Sequence, residues 1–154
     1  VVVADDDDDL RSIVAEALRF DGYLVSEAHD GAELLEMLDT GAVSPDVIVT
    51  DVKMPRLSGL AVLEALNDVH WNVPVVLMTA STDGSVGSEA DKLGAVGVLH
   101  KPFDIEDLLT AVYNARQVVE ARRARASGPL PPGGDQSRQG LEGAHPAGDR
   151  HAAH

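Results

Sequence analysis

Asp51 ends the apolar run Val47-Ile48-Val49-Thr50, and it is one of five groups whose type and place could do chemistry together. Asp5 and Asp6 end the run Val1–Ala4, Thr79 ends the run Val73–Met78, and Lys101 comes just after Val96–Leu99. Carboxylates gathered in one place repel one another and raise each other's proton affinity. A hard divalent cation relieves that repulsion, and Mg2+ (or Mn2+) suits a small carboxylate set. A lysine and a hydroxyl beside such an ion can hold the oxygens of a phosphoryl group. Positioning and charge neutralisation are most of what phosphoryl transfer needs. A carboxylate such as Asp51 can then be the nucleophile and form an acyl phosphate.

These groups meet only if the runs before them are strands ending at a common edge. Between the runs lie segments with helical spacing. Leu10, Ile13, Val14, Ala17 and Leu18 precede a stop at Gly22, and Leu24–Ala28 reads as a further strand. Ala32, Leu34, Leu35 and Leu38 make a short helix closed by Gly41, and Leu60, Leu63 and Leu66 mark a third. Residues 85–93 form a weak helix diluted by Gly87. Ile105, Leu108, Leu109, Val112, Ala115, Val118 and Val119 line one side of a long last helix. Asp104 is its expected cap, with Asp107 in its first turn, and Arg122, Arg123 and Arg125 suit the negative end of its dipole. Ser127-Gly128-Pro129 ends it. Five strand–helix units with continuous apolar strands predict an α/β fold with a parallel sheet covered on both faces. Such open sheets bind their ligands beyond the carboxyl ends of the strands.

Composition narrows the function further. The chain has 154 residues, enough for one domain with a core, and is 44% hydrophobic but only 3% aromatic, so that core is aliphatic. A net charge of −14 argues against direct nucleic-acid binding, which needs a positive surface. The charge is uneven, at −16 over residues 1–121 and +2 over residues 122–154. With no cysteine there are no disulfides, thiolate zinc sites or cysteine nucleophiles. No apolar run approaches the ~18–20 residues of a membrane span. The chain opens on Val1 inside an apolar run, and we expect further residues upstream. From Ala126 to His154 there are six Gly and four Pro among 29 residues, a composition that predicts a disordered tail. The expected division is a domain over 1–120 and, over 121–154, a helix extension with that tail.

The motifs together carry a resemblance. Val-Val-Val-Ala-Asp5-Asp6-Asp7, Val47-Ile-Val-Thr-Asp51-Val-Lys53-Met54-Pro55 with Ser58-Gly59, Val75-Val-Leu-Met-Thr79-Ala80 and Gly97-Val-Leu-His-Lys101-Pro102-Phe103 stand in order. Over about residues 1–120 the chain resembles a receiver domain of bacterial two-component response regulators. The resemblance implies a doubly wound, flavodoxin-like sheet of order 2-1-3-4-5. It implies Asp51 as phosphoacceptor and Asp5, Asp6, Asp51 and the Lys53 backbone carbonyl as ligands of Mg2+. Lys101 would pair with the phosphoryl group, its bond to Pro102 usually being cis in the family, and Thr79 would move towards a phosphoryl oxygen. It also implies a cytoplasmic protein. Its partner would be a sensor histidine kinase or phosphotransfer protein, and a downstream protein would meet the helix 4–strand 5–helix 5 face. A phosphorylation-dependent homodimer is a further outcome the resemblance allows. One departure is Val98, where the family usually has an aromatic residue that rotates inward on activation.

Rival readings differ in what they require. A phosphohydrolase with an aspartate nucleophile would use Asp5-x-Asp7, but leaves Asp51-Val-Lys-Met-Pro without a role. A flavin domain needs a hydroxyl- and glycine-rich loop after the first strand, where this chain has carboxylates. A receiver that binds partners without phosphorylation would have no use for Asp6, Asp51 and Lys101 together. Either a stand-alone receiver or a piece of a longer regulator or hybrid kinase fits the pattern. Asp7, Asp8 and Asp9 are expected to do structural work at the positive start of a helix. His29, His70 and His100 are expected on the surface or in packing, His151 and His154 are assigned no role, and Trp71 is expected to lie half-buried in a loop. Lys53 and Ser81 flank the site and are expected to tune the lifetime of the phosphate.

Overall fold

The computed structural model describes residues 1–128. Elements alternate along the chain as β1 (Val2–Ala4), α1 (Asp8–Phe20), β2 (Ser26–Ala28), α2 (Gly31–Asp39), β3 (Ile48–Asp51), α3 (Gly59–Asp68), β4 (Val75–Thr79), α4 (Gly84–Leu93), β5 (Gly97–His100) and α5 (Ile105–Ala126). The strands pair in parallel in the order β2-β1-β3-β4-β5. This is the expected doubly wound sheet.

Continuous apolar strands are what a sheet with two covered faces demands, because successive side chains point to opposite sides. Val2, Ala4, Ile48, Val75 and Leu77 join one cluster with Leu34, Leu38, Val62, Leu63 and Leu66 of α2 and α3 and Ala90 of α4. Val3, Val47, Val49, Val76 and Met78 join the other with Val14 and Leu18 of α1 and Leu108, Val112 and Ala115 of α5. Every residue of β1, β3 and β4 is buried, whereas the edge strands β2 and β5 are only partly covered. The core is aliphatic, as composition requires; its largest fully buried side chains include Leu18, Leu34, Ile48, Leu66, Leu77 and Met78.

Several expectations need correction. β2 begins at Ser26, not Leu24, because Leu24 is 92% exposed and has no cover to extend under. Ile13 does not join the inner stripe of α1. The buried positions are Arg11, Val14, Ala15 and Leu18, which lie on one helical face, and Ile13 points away from it and is 54% exposed. Asp104 stands at the N-cap of α5 with extended backbone, but its side chain accepts no capping hydrogen bond. Ile105, the first residue of α5, is also exposed, lying beyond the edge of the sheet it was expected to cover. The tail assignment falls mostly outside the described residues, as do His151 and His154.

Asp7 is the N-cap of α1 and accepts hydrogen bonds from Asp9 N–H and Leu10 N–H at 3.1 Å each, with Asp8 and Asp9 in the first turn. The aspartate run thus divides at its third member, with Asp5 and Asp6 before the helix and Asp7–Asp9 serving it. Trp71 is 39% exposed and borders a shallow apolar groove with Leu35, Ala65 and Val69. No described helix is long and apolar enough to cross a membrane.

Candidate functional site

The parallel register delivers Asp5, Asp51, Thr79 and Lys101 to one edge of the sheet. Asp51 is the last residue of β3 and pairs in register with Met78, one residue before Thr79 ends β4. Thr79 in turn pairs with His100, one residue before Lys101. Asp5 immediately follows β1, and its N–H donates to the Ala28 carbonyl at the end of β2 (3.2 Å).

Carboxylate oxygens of Asp5, Asp6 and Asp51 lie within 4.8 Å of one another. Asp5 is fully buried, Asp51 is buried and Asp6 is exposed. Asp5 is held at every polar atom. Its Oδ1 accepts from Asp7 N–H (3.0 Å), its Oδ2 from Lys101 Nζ (3.1 Å), and its carbonyl from Arg11 Nη1 (2.8 Å). Lys101 Nζ also lies 3.3 Å from Asp51 Oδ2, so one ammonium bridges two buried carboxylates. Burial pushes the Asp51 pKa up, and Asp5 pushes it further; Lys101 opposes both without cancelling them. Burial works against the Lys101 ammonium as well, but Asp5 and Asp51 outweigh it and hold its pKa above the ordinary lysine value.

The rest of the edge is backbone-determined. Lys101 N–H donates to the Thr79 carbonyl (2.8 Å), and the Lys101–Pro102 bond is cis. The Thr79 hydroxyl is buried and accepts from Ser81 N–H (3.0 Å). Lys53 is exposed two residues after Asp51. After it the chain passes back under the strand end, where Val52 N–H donates to Met78 and Gly59 N–H donates to the Val52 carbonyl, both at 2.9 Å. Gly59 must be glycine, since a Cβ there would run into the Asp51 carbonyl. Val98 is half-buried on β5 and packs against the cluster under α2 and α3.

A phosphohydrolase centred on Asp5 and Asp7 does not suit this geometry. Its second carboxylate, Asp7, is spent on capping α1, and such an enzyme leaves Asp51, buried in the same cluster, without a role.

Comparison with known proteins agrees. The family model described as the response regulator receiver domain matches residues 1–113. The chain belongs to this family. It is a receiver of two-component signal transduction, a signalling domain. Among its relatives is the DNA-binding transcriptional regulator NtrC of Escherichia coli K12, 35% identical over 133 residues, covering 84% of this chain and 28% of NtrC. Response regulator MprA of Mycobacterium ulcerans is 40% identical over 109 residues, covering 71% of this chain and 46% of MprA. The receiver therefore spans less than half the length of either relative. Among solved structures, a response regulator receiver domain protein from Clostridium thermocellum superposes with a TM-score of 0.73 at 30% identity, covering 79% of this chain and 96% of that one. The receiver domain of NtrX from Brucella abortus gives 0.69 at 28% identity, covering 75% and 97%.

Two groups in the receiver's site region went unread in the sequence. Arg11 is only 7% exposed; besides the Asp5 carbonyl it meets Asp8 (2.7 Å) and Glu27 (3.3 Å). Its signal was there: Arg11, Val14, Ala15 and Leu18 share the buried stripe of α1, and an arginine on such a stripe needs acidic and carbonyl partners. The second is Arg56, which forms a two-pronged ion pair with Asp30 (2.8 and 3.0 Å) across a gap of 26 residues. No local pattern announces that pair.

Proposed function

We propose that Asp51 accepts a phosphoryl group from a phosphohistidine on a partner kinase or phosphotransfer protein. An Asp51 oxygen attacks phosphorus, the P–N bond breaks with its electron pair going to the imidazole, which takes a proton from solvent, and an acyl phosphate remains on Asp51. The single observation that carries this reading is the Lys101 ammonium between Asp5 and Asp51, 3.1 and 3.3 Å away, within a three-carboxylate cluster at the strand ends.

The donor set fits a hard divalent ion. All three clustered side chains offer oxygen, and three carboxylates face a single lysine. Asp5, Asp6, Asp51 and the Lys53 carbonyl would hold Mg2+ or Mn2+. When bound, the ion would neutralise charge that builds on the phosphoryl oxygens. Lys101 supplies a second positive charge to those oxygens, and Thr79 supplies a hydroxyl that can turn from Ser81 towards them.

The new charge on Asp51 draws Thr79, which ends β4, and Lys101, which follows β5, and these strand ends lead into α4 and α5. The surface that responds is the face of α4, β5 and α5; on its β5 and α5 side Gly97, Leu99, Phe103, Asp107, Ala111 and Asn114 border an open hollow. A downstream protein would bind there. Val98 in place of an aromatic residue assigns the response to Thr79, Lys101 and the backbone of β5. The receiver would comprise residues 1–120 with an extension over 121–154, and the relatives' greater length favours a receiver that works within a longer regulator.

The test is direct labelling with Mg2+ and a small phosphodonor. The expected product carries phosphate on Asp51, and Asp51→Asn loses it. Label on Asp5 or Asp7 would overturn the assignment.

A further inference from the structure

Arg56 occupies a conformation that arginine ordinarily avoids. Its φ is +66°, in the left-handed region, and Leu57 N–H donates to the Pro55 carbonyl at 2.7 Å, closing a three-residue turn around it. Such a turn persists at a non-glycine residue only where its surroundings over-determine it. Here they do so twice. The guanidinium grips Asp30 with two hydrogen bonds, Nε to Oδ2 at 2.8 Å and Nη2 to Oδ1 at 3.0 Å. Next to Asp30, Gly31 lies so close to the turn that a Cβ would meet the Leu57 carbonyl.

Asp30 is itself fixed. Its side chain is only 12% exposed, and it caps α2 by accepting from Glu33 N–H at 2.8 Å. The Arg56 guanidinium, first of all, holds its carboxyl below the usual carboxylate range. Two residues earlier, the Ala28 carbonyl accepts from Asp5 N–H. The corner between β2 and α2 therefore touches both sides of the acidic cluster. It holds the Asp5 backbone through Ala28, and it holds the segment after Asp51 through Asp30 and Gly31.

We infer that Asp30 and Arg56 are positioning residues for the divalent ion. By pinning the turn at Pro55–Leu57 to the β2–α2 corner, they set where the Lys53 carbonyl stands relative to Asp5 and Asp6. The pair touches neither ion nor phosphate; it acts through the backbone of residues 52–56. This inference rests on the reading of the cluster as a Mg2+ site. It adds that a large part of the affinity is set by an ion pair outside the cluster.

The experiment is calorimetric titration of Mg2+ into wild type, Arg56→Gly, Asp30→Asn, the double variant and Asp51→Asn, with a thermal melt of each. Glycine accepts the left-handed backbone and asparagine caps a helix as well as aspartate, so both single variants keep the local fold. Each is expected to weaken Mg2+ binding by about tenfold, the low end for loss of a group that orients a ligand. The double variant is expected to be no weaker than Arg56→Gly alone, because Asp30→Asn weakens the same link that Arg56→Gly removes. Equal affinity, within twofold, in wild type, Arg56→Gly and Asp30→Asn would overturn the inference while leaving the metal site standing. Additive losses in the double variant would also overturn it, since the two residues would then act separately. Wild type that takes up no Mg2+, or takes it up unchanged in Asp51→Asn, would overturn the metal site and this inference with it.

Discussion

Replacing Asp51 by asparagine should stabilise the protein in the absence of metal, although it removes the proposed phosphoacceptor. Asp51 is 7% exposed and shares its site with Asp5. At no more than 4.8 Å and an effective dielectric near 20, two carboxylates repel by at least about 3.5 kcal/mol, and an ammonium at 3.3 Å attracts by about 5 kcal/mol. The Coulomb terms therefore leave at most roughly 1.5 kcal/mol in favour of the charged form. Taking a carboxylate out of water costs several kcal/mol, so burial decides the sign. That agrees with a folded-state pKa raised above the ordinary value, with burial as the first cause. A raised folded pKa means that the folded state binds the proton more tightly. Stability then falls as pH rises from the ordinary carboxylate range through the folded value, and the full penalty remains above it. Asparagine carries no such penalty, so Asp51→Asn should gain about 1–2 kcal/mol at neutral pH, or roughly 4–8 °C in Tm. Thermal melts in chelator test this. The gap should shrink as pH falls towards the carboxylate range, and also with excess Mg2+, which would stabilise wild type by mass action. An asparagine variant that melts at or below wild type, at neutral pH without metal, would refute the accounting.

Three other outcomes follow from geometry already described. Gly59→Ala should cost about 1–3 kcal/mol in a urea melt, as overpacking does, and should slow phosphorylation because its Cβ displaces the Asp51 carbonyl. Asp7→Ala should cost about 1 kcal/mol through two lost capping bonds, while Asp104→Ala, at a cap that bonds nothing, should stay within about 0.5 kcal/mol by the same melt. Replacing exposed Lys53 by alanine should leave stability within about 0.5 kcal/mol but change the rate at which labelled phosphate is lost from Asp51; an unchanged rate would count against its place beside the site.

The parts of the site written locally were legible, and the parts written across the chain were not. Apolar runs ending in Asp5, Asp51 and Thr79 are strands whose register is forced by two-sided burial, so their ends had to meet. Lys101 followed from the same reasoning on β5. Arg11 lies on the buried stripe of α1, where spacing points inward but an arginine's charge points to water. Ile13 is the converse, an apolar residue counted inward by type although its angle on α1 puts it outside. The bond between Arg56 and Asp30 joins two loops, where no period exists to read. The empty cap at Asp104 shows that a favourable residue type at a helix start does not oblige its side chain to bond there.

α5 gives the receiver a mechanical property that its chemistry alone does not suggest. The helix begins four residues after Lys101 and runs for 22 residues, ~33 Å, to the opposite pole, where Arg123 reaches Asp46 ahead of β3 at 3.0 Å. It is a beam with one end close in sequence to Lys101 and the other beside Asp46, ahead of β3. A tilt of about 5° at its start would carry its end through about 3 Å, enough to part the Arg123–Asp46 pair. A small rotation near the strand ends would thus become a displacement of hydrogen-bond length at the other pole.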